Sequence, residues 1–254
     1  MAELYVGCSG FSYQHWRGQF YPEELPQKEW FSHYVGVFST VELNVTFYRT
    51  PSAETFTRWY EESGPNFCFA VKGSRYITHL KRLLDTEEPL DRFFTPALQL
   101  KDKLKVVLWQ FPPDFKLAPD RLDSFLGLLE NYRVRNVLEF RNQSWLCDEV
   151  VGICKSRNVS LCMADRPAFL DAPPLTADFV YLRRHGAEGN YIGEYNAAQL
   201  EHDAGRIRNY LSKGRDVFIY FNNDAGGAAP RNALELAALL GKTHHRDSHP
   251  HAKD

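Results

Sequence analysis

Ionisable residues stand at the ends of short apolar runs throughout the chain: Glu42 in STVELN, Lys72 in FAVKG, Glu139 and Arg141 in VLEFR, Asp165 in MAD, and Arg183 and His185 in VYLRRH. Three pairs are spaced by two: Glu42 with Asn44, Glu139 with Arg141, and Arg183 with His185. In an extended strand that spacing puts both members on one face. Gln110 ends a further run, and Asn222 follows Phe218 and Tyr220 on another. The residue types suggest a division of labour. Guanidinium forks of Arg141 and Arg183, with Lys72, can clamp a phosphate or carboxylate. Glu42, Glu139 and Asp165 can act as general acids or bases, and His185 as a further proton carrier. Each residue alone reads as the start of a solvated loop, or, for Glu42, as half of a structural ion pair. Brought onto one rim they would be costly without a ligand or mutual pairing.

The first loop, GCSGFSYQHWRGQFYP, adds Tyr13, His15, Trp16 and Tyr21, and NVTFYRTPS adds Tyr48. Tyr13, Trp16 and Tyr48 could stack on a sugar ring or a base, or pack the loops over the fold.

The elements that would carry these residues alternate between β-rich runs and helix-period segments, the pattern of a parallel α/β sheet. Eight strands are expected: Leu4–Cys8, Thr40–Thr46, Phe67–Gly73, Lys105–Phe111, Asn136–Arg141, Ser160–Ala164, Phe179–Arg184 and Val217–Asn222. Among the helices, Leu122, Phe125, Leu126 and Leu129 form one apolar stripe. Leu146, Val150, Ile153 and Cys154 form another behind a Ser144 cap, and Leu200, Ala204, Ile207 and Leu211 form a third, ended by Gly214. A last helix should run from Arg231 to Leu240. Pro96 should kink or split the helix after the third strand. The stretch RPAFLDAPPLTAD shows no helical period, so the sixth helix should be missing or reduced to a turn.

These features predict an irregular (β/α)8 TIM-type barrel spanning residues 1–241, whose active site would lie at the carboxyl ends of the strands. The polar tail 242–254, with His244, His245, His249 and His251, is expected to be disordered. A chain of 254 residues, 44% hydrophobic and 24% charged, suits one such domain of about 250 residues. A net charge of -2 gives no general attraction to nucleic acid or membrane, which makes nucleic acid a disfavoured partner. Five scattered cysteines without C-x-x-C spacing argue against a disulfide framework or a zinc site. The amino terminus lacks a signal-peptide pattern and no stretch is long enough to span a membrane, so a cytoplasmic protein is expected. Oligomeric state has no signal here.

The segments CSGFSYQHW, FSTVELNVTFYRTPS, FAVKGSRYITH, LWQFPP, LEFRNQSW, YLRRHG and VFIYFNND resemble the DUF72, or YecE-like, family from about Val6 to Leu240. The resemblance implies a TIM barrel and no particular activity. Matching positions are Glu42, Asn44, Tyr48, Lys72, Gln110, Glu139, Arg141, Trp145, Asp165, Arg183, His185 and Asn222.

Three functions are compatible with these residues. The first is an enzyme, of hydrolase or lyase type, acting on a small anionic molecule that is phosphorylated or nucleotide-like. The second is a metal-dependent, endonuclease-like phosphodiester enzyme, in which Glu42, Glu139 and Asp165 would hold a divalent cation. The third is a non-catalytic metabolite sensor. No P-loop, G-x-S-x-G elbow or nicotinamide, flavin or pyridoxal signature is present, so no organic cofactor is evident. NDAGGAAP could bind phosphate at a helix amino terminus or serve as a plain strand-to-helix turn.

Overall fold

A computed structural model describes residues 1–187 and 191–241; the expected tail, 242–254, lies outside the described residues. All strand pairings in the single sheet are parallel. The chain runs β1 (Leu4–Ser9), α1 (Trp30–Val35), β2 (Thr40–Leu43), α2 (Val45–Tyr48), α3 (Ala53–Glu62), β3 (Cys68–Lys72), α4 (Glu87–Ala97), β4 (Leu104–Gln110), α5 (Pro119–Leu129) and β5 (Arg135–Glu139). It continues through α6 (Asp148–Ser156), β6 (Ser160–Leu161), β7 (Met163–Ala164), β8 (Phe179–Arg184), α7 (Ala197–Ser212), β9 (Asp216–Phe221) and α8 (Ala228–Leu239). The strand order is β6-β5-β4-β3-β2-β1-β9-β8-β7. Only Cys162 separates β6 from β7, and its N–H still donates to the Leu138 carbonyl at 2.9 Å. The two short strands therefore share the sixth position and bring the ring nearly to closure as an α/β barrel. The expected sixth strand is real but broken at its middle.

Other expectations shift for local reasons. The second strand stops at Leu43 rather than Thr46, because the Thr46 hydroxyl donates to the Leu43 carbonyl at 2.9 Å and to the Lys72 carbonyl at 2.6 Å, closing a helical turn. The fifth strand ends at Glu139, before Arg141. Ser144 does not cap α6. It sits in a 3-10 turn, Gln143–Trp145, accepts from the Leu117 N–H at 2.9 Å, and leaves the cap position to Cys147. Pro96 neither kinks nor splits α4, because it falls in the last turn, just before the helix ends at Ala97. The sharper break comes at Lys101, with φ 49°. The sixth helix is reduced to a 3-10 turn, Ala168–Leu170, as the prolines imply. The last helix begins earlier than expected, at Ala228, behind two left-handed glycines.

The core has two layers. Outward strand residues such as Val107, Trp109 and Leu138 pack under the helices, with the Trp109 ring 5.1 Å from that of Phe125 on α5. Inward aromatics pack between neighbouring strands, with Tyr5 stacked on Phe218 at 4.6 Å and Tyr181 tilted against Tyr220 at 5.3 Å. All five cysteines are free. No helix among the described residues is long and apolar enough to cross a membrane.

Candidate functional site

Above the aromatic layer the barrel interior turns ionic. Glu42 on β2, Glu139 on β5 and Arg183 on β8 meet there with virtually no exposure to solvent. The Arg183 fork grips Glu42 twice, Nε to Oε2 at 3.0 Å and Nη2 to Oε1 at 2.8 Å, and its Nη1 donates to Glu139 Oε2 at 2.7 Å. Tyr181 donates its hydroxyl to Glu42 Oε2 at 2.5 Å. Burial pushes both carboxyls toward protonation, but the neighbouring guanidinium outweighs it. Glu42 is held below the usual carboxylate range, and Glu139, with Arg141 also beside it, well below. Arg183 is therefore fully committed to the protein and has no donor turned to solvent.

The cluster opens upward through other residues. Arg141, whose side chain is 20% exposed, pairs with Glu139 Oε1, and Gln110 Nε2 donates to Glu139 Oε2 at 3.1 Å. His185 lies over them, buried, with its pKa lowered by burial and by Arg183. Its Nε2 has Arg141 Nη2 at 3.2 Å and Glu139 Oε1 at 3.4 Å. The first can donate to a bare ring nitrogen and the second can accept from a protonated one. Its Nδ1 faces the Asn222 carboxamide at 3.2 Å, which can donate or accept by turning over. The imidazole thus finds a partner in either protonation state, which equips it to carry a proton.

Lys72, nine-tenths buried at the end of β3, is different. Its ammonium stands 4.2 Å from the centroid of the Phe47 ring, and no carboxylate among the described residues lies within salt-bridge distance. Burial and the nearby Arg183 lower its pKa to about 8, against a weaker pull from Glu139 and Glu42.

The structure thus brings together Glu42, Lys72, Gln110, Glu139, Arg141, Arg183, His185 and Asn222. Others stand apart. Asp165 turns away from the barrel centre: Oδ1 accepts from the His185 backbone N–H at 2.9 Å and Oδ2 from the Tyr195 hydroxyl. Trp16 is wholly buried, with its Nε1 donating to the Asp224 carbonyl at 3.2 Å, so it packs the first loop. Tyr48 is exposed near Arg75. Asn44, expected on the Glu42 face, leaves the strand and lines a neighbouring cavity. Tyr13 covers the edge of the cluster, its hydroxyl donating to the Ser9 carbonyl at 2.6 Å. NDAGGAAP is packed against the first loop: His15 Nε2 lies 2.6 Å from the Asp224 carbonyl, and the residue that follows, Arg231, donates to Gln19 Oε1 at 3.2 Å.

Sequence reasoning missed Ser9, whose register partner is Glu42 and whose buried hydroxyl helps to hold that carboxyl ionised. Its even spacing from Tyr5 along β1 was the available signal. It also missed Cys162, an inward thiol beside Glu139 and Arg183 that burial pushes well above its ordinary pKa. For a metal, the three candidate carboxylates do not converge. Among the described residues no group of three His, Cys, Asp or Glu side chains is placed to hold an ion.

Residues 5–254 match the family described as "Protein of unknown function DUF72". The chain is 26% identical to the UPF0759 protein YunF of Bacillus subtilis (strain 168), over 93% of this chain and 94% of that one. A solved DUF72 family protein, TM1631 from Thermotoga maritima, superposes with a TM-score of 0.79 at 31% identity, covering 94% of this chain and 99% of its own. D-psicose 3-epimerase from Clostridium cellulolyticum H10 superposes at 0.54 with 12% identity, over 93% of this chain and 97% of that one, a likeness of fold alone.

Proposed function

The chain belongs to the DUF72 family, and on the chemistry of its own site we propose that it is an enzyme acting on a small anionic molecule held at the carboxyl end of the barrel. One observation carries the proposal: Lys72 is a buried cation without a carboxylate partner, beside a cluster whose other cations are paired. Desolvating an ammonium without pairing it is costly, and an anion would offset that cost. Arg141, the most exposed of the three cations, offers the second contact. Arg183 and Glu42 stay out of the reaction in this reading; they hold Glu139 in place and ionised. Glu139 in turn orients His185, which exchanges the proton.

A phosphodiester reaction at a divalent cation finds less support, because Asp165 faces Tyr195 and Glu42 and Glu139 are occupied by guanidinium groups.

Titration calorimetry with inorganic phosphate, a sugar phosphate and small carboxylates tests the reading. At least one should bind saturably, and K72M and R141M should each weaken it by about tenfold. Equal affinity in K72M sinks the proposal. E139Q separates an enzyme from a sensor: it should lose turnover while keeping affinity.

A further inference from the structure

A cavity of about 770 Å3, apart from the central cluster, opens over the ends of β1 and β2, and none of Glu42, Lys72, Glu139, Arg141, Arg183 or His185 lines it. Its inner wall is aromatic, formed by Phe11, Phe31 and Trp59; the Phe11 ring centroid lies 4.9 Å from that of Phe31 and 6.3 Å from that of Trp59. Asn44 lines it too, and its Oδ1 is buried with no hydrogen-bond partner among the described residues. At the rim stand Lys28, before α1, and Arg58, on α3, both exposed and neither in an ion pair or side-chain hydrogen bond among the described residues. Glu62, one turn along α3 from Arg58, is the carboxylate on this rim, so cations outnumber it.

We propose that this cavity is a binding site for a small planar aromatic anion. The ring would lie against Phe11, Phe31 and Trp59, where an offset or edge-on aromatic contact adds to simple burial. A donor on the ring would satisfy Asn44 Oδ1, a buried acceptor whose isolation costs free energy. The anionic group would reach Arg58 and Lys28, the former through its planar fork. The volume falls within the range of about 300–1,000 Å3 usual for small-molecule sites. Tyr13 belongs to this lining and also covers the edge of the central cluster, so the two sites share a wall while binding independently.

Indole-3-acetate carries all three features and serves as the probe, followed by ligand-detected NMR and equilibrium dialysis. Naphthalene-1-acetate lacks the donor, and indole-3-ethanol lacks the charge. Indole-3-acetate should bind at one site per chain, with indole-3-ethanol weaker by about tenfold and naphthalene-1-acetate by a few-fold. R58E should weaken the probe by about tenfold, as should V45W, which fills the cavity from an exposed rim position. Both variants alter exposed residues, and an unchanged melting curve verifies their folding. K72M should leave affinity for the probe unaltered. The proposal is overturned by absent or non-saturable binding, by equal affinity for the uncharged analogue, or by indifference to R58E and V45W. Loss of binding in K72M would also overturn it, by moving the probe to the central cluster. Because K72M is silent here and decisive for the anion site, the two proposals fail separately.

Discussion

Lys72 shows how one side chain can be costly to the fold and useful to the site. Its pKa is lowered to about 8 from an ordinary 10.5, chiefly by burial. Between those values the unfolded chain holds a proton that the folded chain has released, so raising the pH favours the folded state. The penalty is present in full below about pH 8, where the buried ammonium is charged, and fades toward 10.5. Anion affinity must run the other way, falling as the ammonium loses its proton through about pH 8. We expect urea denaturation to show stability rising over that window relative to K72M, while calorimetry shows anion affinity declining. Parallel pH profiles for the wild type and K72M would contradict this account of Lys72.

At the scale of elements, β1 is held against β2 by what Gly7 lacks. A Cβ there would lie 2.4 Å from the Thr40 carbonyl oxygen, a backbone atom that cannot rotate away. G7A should force the two strands apart and lower stability by about 1–3 kcal/mol, as overpacking does. A urea midpoint equal to that of the wild type would show that the strands absorb the methyl freely. The same elements mark what the sequence could and could not reveal. Period-two alternation correctly put Tyr181, Arg183 and His185 on one inward face, because the pleat alone sets that face. It failed at Asn44, because Val45 and Thr46 look like strand residues while the Thr46 hydroxyl closes a turn with β3, a contact not encoded locally. Nor could it show Arg183 facing Glu42, since which strands lie opposite, and at what depth, follows from barrel closure between residues 141 positions apart.

For the whole molecule, the ion cluster acts as a tie across the barrel interior. Glu42, Glu139 and Arg183 come from β2, β5 and β8, and removing one partner strands a charge in a dry interior. E42A should therefore cost about 3–5 kcal/mol, the usual penalty for breaking a buried pair. Denaturant titration is the measurement, and a loss below about 1 kcal/mol, typical of an exposed pair, would mean that the pair is solvated. The nearly closed ring also explains why the sixth position can be split at Cys162. Pairing with β5 on one side and β8 on the other holds two short strands that would not persist alone.

The Arg183 fork also bears on the order in which the molecule can be completed during synthesis. Both carboxylates it joins leave the ribosome before it does, Glu139 by 44 residues and Glu42 by 141. Until β8 arrives, a partial barrel would have to enclose two carboxyl groups facing each other with no guanidinium between them. Such a half-built interior is better left open to water, where both can stay ionised. Arg183 thus works as a keystone: the last third of the chain licenses the interior of the first two to become dry.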